Sequence, residues 1–216
     1  MWSSHQLIHF LPWFTVLAWV VPFGQVYAQS HHQHPVLAAV TPAGPSVLAN
    51  ASRASNTVEV TLTAAPARMA LVPGAATEVY AYNGRLPGPT LEVREGDRVI
   101  VHFQNNLPEA TTVHWHGLHL PFGADGSPFH PVAPGEKRDY VFTVRPGSAG
   151  TYWYHPHPHH HTGAQVAKGL YGAVIVRAAD DPLPASLPEK VLLLSETAFS
   201  RTVLSISRTR TPLRGE

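Results

Sequence analysis

Short runs in which apolar and polar residues alternate dominate the middle of the chain. The period of two residues recurs over residues 58–62, 78–82, 99–103 and 137–144. This period is typical of strands that bury one face, because successive side chains on a strand point to opposite faces. No stretch keeps the period of an α-helix, and residues 165–170 fit a single helical turn.

Two short apolar runs, residues 172–176 and 191–194, fit strands that are buried on both faces. Turn residues such as Asn83-Gly84 and Pro146-Gly147 separate the runs from one another. We count about seven or eight strands in this part of the chain. Many short strands divided by turns predict an all-β fold, a Greek-key β-sandwich that forms a single domain over residues 57–196.

The beginning of the chain differs from this middle part. Residues 7–23 are almost wholly apolar, and Val26 and Ala28 satisfy the small-residue rule of a signal-peptidase site, so residues 1–28 are predicted to be a signal peptide. A retained membrane anchor is the alternative, because no Lys or Arg precedes the apolar run. Both interpretations place the remainder in an exported location, periplasmic or secreted.

Residues 29–56 are rich in Ala, Pro, Ser and His without any period, which predicts a flexible, disordered lead-in. Cleavage after Ala28 would expose Gln29-Ser30-His31, whose amine, amide and imidazole nitrogens can form a square-planar set suited to Cu(II) or Ni(II). A disordered His-rich tail without metal is the alternative. Residues 197–216 carry several arginines and few large apolar side chains, which predicts a disordered, non-homologous tail outside the domain, with a basic surface tail as the alternative.

Composition narrows the functions that the chain can have. It has 216 residues, a formal net charge of +1 and only 13% charged residues, so nothing indicates a nucleic-acid partner. The sequence contains no cysteine, which excludes a disulfide framework, a zinc–thiolate site, a cysteine nucleophile and a copper–thiolate centre built from these residues. The 15 histidines, by contrast, are clustered.

Two His-x-His segments carry the candidate chemistry: His114, His116, His155 and His157. Within each segment the imidazoles are two residues apart, so they share one face of a strand. On facing strands the two pairs would direct four imidazoles into one small volume. Neutral imidazole binds copper, zinc, iron and nickel, whereas a buried histidine needs a partner for each ring nitrogen. The segments therefore predict a metal site, with two unrelated His-rich surface turns as the alternative.

Other histidines have less specific interpretations. His102 lies on the alternate face of its strand, which favours a solvated side chain. His159, His160 and His161 follow the second pair directly. They are either additional weak ligands or part of a solvated loop, and we favour the loop.

An ordered set of motifs resembles the amino-terminal plastocyanin-like (cupredoxin) domain of multicopper oxidases, in the laccase and cuprous oxidase group. The resemblance covers roughly residues 81–197. The motifs are Asn83-Gly84, Pro87-Gly88-Pro89, Glu95-Gly96-Asp97, His114-Trp115-His116-Gly117, Asp125-Gly126, Pro134-Gly135, Gly150-Thr151-Tyr152-Trp153-Tyr154-His155-Pro156-His157 and Gly169-Leu170-Tyr171-Gly172.

The resemblance implies copper as the cofactor and assigns roles by position. His114 matches a ligand of the type 2 copper, and the other three histidines of the two pairs match ligands of the paired type 3 coppers. Asp125 matches an acidic residue that assists proton delivery to dioxygen, with a plain turn residue before Gly126 as the alternative. In the family, the trinuclear site lies between the first and last cupredoxin domains and reduces dioxygen to water. Copper ions, dioxygen and a second chain that carries the last cupredoxin domain are therefore the implied partners.

The missing cysteine separates this chain from a whole family member, because the family binds type 1 copper through a cysteine. The chain resembles a truncated member, and we do not expect it to turn over substrate alone. The function implied is that of a copper-binding amino-terminal domain that supplies four histidines to the trinuclear site. The alternatives are an exported copper-binding protein without turnover and an inactive fragment.

Overall fold

The computed structural model describes residues 44–181, 183–184 and 186–197. The predicted signal peptide, the Gln29-Ser30-His31 motif and nearly all of the predicted tail lie outside the described residues. The elements are β1 (Thr57–Val72), β2 (Ala75–Tyr82), β3 (Gly88–Arg94), β4 (Arg98–Asn105), β5 (His114–His116), β6 (Lys137–Thr143), β7 (Gly150–His155), α1 (Thr162–Ala167) and β8 (Gly172–Arg177). Within the described ranges, no helix has the length and apolar character needed to cross a membrane.

The strands form two four-stranded sheets, with the orders β2-β1-β4-β6 and β3-β8-β7-β5. Strand β1 runs parallel to β4, and β3 runs parallel to β8, while the other neighbouring strands are antiparallel. Many neighbours are distant in the sequence, as a Greek-key arrangement requires. The prediction of an all-β sandwich of the cupredoxin type is confirmed.

One hydrophobic core lies between the two sheets. Its members come from the alternating positions of both sheets, and include Val60, Leu62, Val99, Val101, Phe103, Leu91, Val93, Tyr154, Val174 and Val176. Trp115 of β5 reaches across to the other sheet, where its ring centroid lies 5.9 Å from that of Tyr140 and 5.5 Å from that of Phe142. Because Trp115 points into the core, its neighbours His114 and His116 point to the opposite face.

One local prediction was wrong, and another was displaced along the chain. Residues 191–194 do not form a buried strand, since this segment has no strand and Leu192 and Leu194 are 65% and 98% exposed. Strand β8 already pairs with β3 and β7 on its two sides, so the apolar run that follows finds no free edge there. The helical turn predicted over residues 165–170 is present but displaced, since α1 begins and ends three residues earlier.

Part of the predicted lead-in is attached to the domain. The backbone N–H of Leu48 donates to the carbonyl oxygen of Thr90 at 2.9 Å, and the N–H of Thr90 donates to Ser46 at 2.7 Å. Farther along, Asn50 Oδ1 accepts from the N–H of Glu59 at 2.9 Å. These bonds satisfy backbone groups that an edge strand such as β3 would otherwise leave unpaired. Ordered contacts thus begin before Thr57, while residues 29–43 lie outside the described part.

Candidate metal centre

The pairing of β5 with β7 brings the two His-x-His segments together. In this antiparallel register His114 lies opposite His155, and Trp115 lies opposite Tyr154. Trp115 and Tyr154 are both in the core, at 1% and 0% exposure. Burial of these two aromatic rings on one face therefore turns the histidines of both strands to the other face.

The four imidazoles lie side by side. The ring centroid of His114 is 5.7 Å from that of His116, 5.4 Å from His155 and 5.3 Å from His157. One ring nitrogen from each of His114, His116 and His155 lies within 4.8 Å of the other two. His157 stands next to this compact group of three, with its ring 6.0 Å from that of His155.

The imidazole of His114 is oriented by the loop that contains Asp125. Its Nδ1 lies 2.9 Å from the backbone carbonyl oxygen of Asp125. A carbonyl oxygen only accepts hydrogen bonds, so Nδ1 carries the proton and Nε2 keeps its lone pair. In a metal-binding histidine, an acceptor that takes the proton of the second ring nitrogen fixes the tautomer and raises the basicity of the nitrogen that binds the metal. His114 thus offers Nε2 as a ligand atom.

His155 is oriented in the same way by the chain that follows it. Its Nδ1 lies 2.8 Å from the carbonyl oxygen of Pro156, which leaves Nε2 with the lone pair. That Nε2 is 3.2 Å from His116 Nδ1. Two nitrogens on one tetrahedral ion, with metal–nitrogen bonds of about 2.0–2.1 Å, are roughly 3.3 Å apart. The donor set therefore fits a metal that prefers imidazole, and copper is such a metal.

Burial keeps His155 uncharged at neutral pH. Desolvation of the ring is the main reason that the pKa of His155 falls to about 4; the neighbouring imidazoles also lower it, while the bond to Pro156 acts in the opposite direction. A metal ligand must be deprotonated, so a neutral ring is ready to bind without first losing a proton.

Trp153 covers the metal-facing imidazoles from the side of the solvent. Its indole stacks on His155, and it lies tilted against His116 with ring centroids 5.1 Å apart. Trp153 lies opposite His116 in the β5–β7 register. Sequence reasoning missed this residue, although the alternation of β7 places Trp153 on the same face as His155.

The carboxylate of Asp125, the predicted proton relay, lies close to His114 but is not its nearest acceptor. The distance from Asp125 Oδ2 to His114 Nδ1 is 3.4 Å, longer than that to the carbonyl oxygen of the same residue. Next in the chain, Gly126 has φ +76°, and a Cβ there would overlap the carbonyl oxygen of Val113. Only glycine lets this loop lie directly against the chain that enters β5.

Side chains also hold the segment before β5. Strand β5 has only three residues, and the N–H of Val113 donates to the hydroxyl of Tyr140 at 3.0 Å. The N–H of His157 donates to Thr112 Oγ1 at 2.8 Å. Sequence reasoning missed both Thr112 and Tyr140, because the register that brings them into place is not local.

His102, His159, His160 and His161 lie outside this compact group. His159 and His160 are exposed, and Nδ1 of His161 lies 3.1 Å from Glu109 Oε2. These three are not members of the compact group, which is in keeping with a solvated loop. His102 differs from the expectation of a simply solvated ring, because its two nitrogens lie 2.8 Å from Asp139 and 2.9 Å from Glu59.

Comparison with known proteins shows the family to which the chain is similar. The family profile described as multicopper oxidase matches residues 64–181, more than half of the chain. The multicopper oxidase mco of Staphylococcus aureus is 38% identical over 152 residues, which are 66% of this chain and 34% of that protein. Copper resistance protein A of Escherichia coli is 38% identical over 128 residues, which are 58% of this chain and 20% of that protein.

A solved structure gives the same picture. A multicopper oxidase from Campylobacter jejuni, described as a metallo-oxidase, superposes with a TM-score of 0.63 and 44% identity, over 65% of this chain and 30% of that one. The chain spans about a third or less of the length of these relatives. Copper is the cofactor that these relatives imply. On its profile match, its two-sheet fold and its identity with these proteins, the chain belongs to the multicopper oxidase family.

Proposed function

We propose that His114, His116, His155 and His157 supply part of a type 2/type 3 trinuclear copper site at which a multicopper oxidase reduces dioxygen to water. The convergence of the four imidazoles on one face of β5 and β7 carries this proposal, above all the 3.2 Å between His116 Nδ1 and His155 Nε2. Bound copper would supply the one-electron chemistry. In this assignment His114 is a type 2 ligand and the other three are type 3 ligands.

The chain's own groups orient the ligands and move protons. The carbonyl oxygens of Asp125 and Pro156 hold the tautomers of His114 and His155, and Trp153 keeps water from one side of the imidazoles. The Asp125 carboxylate is the proposed proton relay to dioxygen. With its side chain 28% exposed and an oxygen 3.4 Å from His114, it can exchange protons with solvent beside the site.

The rest of the site must come from residues outside these 216. Type 1 copper requires a thiolate, and the sequence contains no cysteine. His116 and His157 are exposed, so an ion bound to them would be accessible to ligands from outside this chain. We propose that another cupredoxin domain, from a second chain or from a further part of the same protein, supplies the remaining ligands and the entry point for electrons.

Copper titration of the chain tests the ligand assignment. Copper content and Cu(II) electron paramagnetic resonance should show binding by the parent chain, and His155→Gln should lose most of it. His159→Gln is the matched control, because it removes an exposed histidine that lies outside the compact group. Equal copper binding by the parent and the His155→Gln chain would contradict the assignment.

Oxygen consumption tests the catalytic part of the proposal. With a phenol or Cu(I) as reductant, we expect no turnover by the chain alone and turnover after addition of a cupredoxin domain that carries the thiolate. Turnover by the chain alone would show that electrons enter without a thiolate, contrary to the proposal.

A copper-binding protein without turnover is the second candidate. It is favoured by the compact group of three ring nitrogens, which can hold one ion without a partner. Copper binding with no oxygen consumption, even when the complementary domain is present, would support it. Both candidates include export after cleavage behind Ala28, and mass spectrometry of the mature amino terminus would test that step.

A further inference from the structure

Strand β7 ends where the second His pair begins. Its last residue is His155, and Pro156 has no N–H to donate to a sheet. If the register that sets His114 opposite His155 continued for two more residues, Thr112 would lie opposite His157. Neither residue is in a strand. The two segments are nevertheless joined by a hydrogen bond, because the N–H of His157 donates to Thr112 Oγ1 at 2.8 Å.

Thr112 lies in a part of the chain that is held rigidly. It is completely buried, and the segment around it is held on both sides. The N–H of Val113 donates to Tyr140, while the Thr111 hydroxyl donates to Gln165 Oε1 at 2.7 Å. The buried Gln165 in turn donates from Nε2 to the carbonyl oxygen of Ala110 at 2.9 Å. Because the residues on both sides of Thr112 are held in this way, its backbone has little freedom to move.

The imidazole of His157, by contrast, has little packing to hold it. Its residue is exposed, and its ring lies beside those of His114 and His155, at centroid distances of 5.3 and 6.0 Å. The position of the ring therefore depends on its backbone. Without an acceptor at Thr112, the His157 N–H would have to turn toward water to be satisfied, and the imidazole would turn with it.

We propose that Thr112 is a positioning residue that holds His157 where its imidazole joins those of the other three histidines. The inference rests on the proposed function, since it concerns a ligand of that copper site. Thr112 does not touch the metal, and it acts through the backbone of His157. The hydroxyl takes the place of the strand pairing that Pro156 interrupts.

Two substitutions distinguish the effect of the Thr112 hydroxyl from the effect of the shape of the side chain. Thr112→Val keeps the shape and removes the hydroxyl, whereas Thr112→Ser keeps the hydroxyl and removes a methyl group. In the metal-free chain, NMR hydrogen exchange of the His157 amide should be slow in the parent and in Thr112→Ser. In Thr112→Val it should be faster by about tenfold or more, because the amide has lost its acceptor. This measurement needs no copper, so it is independent of the proposed function.

Copper binding gives the second measurement. Thr112→Val should give the Cu(II) resonance spectrum of His157→Gln and weaken copper binding by about 10–100-fold, as is usual when a residue that orients a ligand is lost. Thr112→Ser should retain the parent spectrum. Thermal midpoints of the metal-free variants control for folding.

Two results would overturn the proposal. One is a His157 amide that exchanges at the rate of an unstructured peptide in the parent chain, which decides the matter even if Thr112→Val fails to fold. The other is a Thr112→Val chain that keeps both the slow exchange and the parent spectrum. If the parent binds no copper, the proposed function fails, and the exchange data still show whether Thr112 holds His157.

Discussion

The indole of Trp153 stacks on the imidazole of His155, with ring centroids 4.1 Å apart and an angle of 26° between the planes. Trp153 is 37% exposed, whereas His155 is only 5% exposed, so the indole shields the imidazole from solvent. An ion bound to His155 would lie next to an excited indole. Because of this contact, the fluorescence of Trp153 should respond to metal binding at the site.

Copper binding should therefore quench the fluorescence of Trp153. Cu(II) accepts energy and electrons from a nearby excited indole, so we expect a titration of the parent chain to lose fluorescence as the site fills. Trp153→Phe should remove most of that loss while the chain still binds copper. Zn(II), which has no redox chemistry, should bind with little quenching. The same loss of signal in the parent and in Trp153→Phe would place the ion elsewhere.

Asp125→Asn should leave copper binding nearly unchanged. The group that orients His114 is the backbone carbonyl of Asp125, and this substitution retains it. We expect the copper dissociation constant to change by less than about threefold, against the 10–100-fold usual for loss of an orienting partner. At a completed site, the same substitution should slow oxygen consumption. A tenfold or larger loss of affinity would mean that the carboxylate orients the ring.

Gly126→Ala should be strongly destabilising. Its Cβ would overlap the carbonyl oxygen of Val113, and the residue has φ +76°. Overpacking of this kind typically costs about 1–3 kcal/mol, and the displaced loop would take the Asp125 carbonyl away from His114. Urea unfolding and copper titration measure the two effects. Gly123→Ala is the matched control in the same loop, because no atom lies within 4 Å of a Cβ at that position. Equal stability of the two variants would contradict this account.

His102 should stabilise the fold more at mildly acidic pH than at alkaline pH. Its ring joins β4 to Glu59 on β1 and to Asp139 on β6, and these hydrogen bonds raise the pKa of His102 above its ordinary value of 6.5. A raised pKa in the folded chain means a contribution that is complete below the ordinary pKa and is lost as the pH rises through the raised one.

Thermal unfolding of the parent and of His102→Gln tests this dependence. The difference between their midpoints should be larger at about pH 5.5 than at about pH 8.5, because the imidazolium is the form that both carboxylates favour. The four histidines of the metal centre are common to both chains, so their titration cancels in the comparison. A difference that is constant or grows toward alkaline pH would contradict the prediction.

The fold was predictable where the pattern is local. Alternation over residues 58–62 and 99–103 reports a buried face without any knowledge of the partner strand. The same rule places His114 beside His116 on one face, and His155 beside His157. The apolar run at residues 191–194 misled us, because apolar character does not reveal whether a strand edge is free to receive it.

The parts of the site that escaped prediction depend on pairing between distant segments. Thr112 and Trp153 acquire their places only when β5 and β7 adopt one register. The close contact of Gly126 with Val113 likewise brings together two segments of the chain that no local sequence pattern connects. Sequence patterns point to the proposed metal ligands, whereas the groups that orient those ligands follow from tertiary contacts.

His116 and His155 are 39 residues apart in the chain. An ion that binds both residues closes the loop between them. In the unfolded chain, closing a loop of this length raises the free energy by about 3 kcal/mol through lost entropy. The loop contains β6, which belongs to the opposite sheet. Because the ion binds only the folded arrangement of these histidines, a loaded chain should unfold less readily than an empty one, and proteases should cut the empty chain between them sooner than the loaded one.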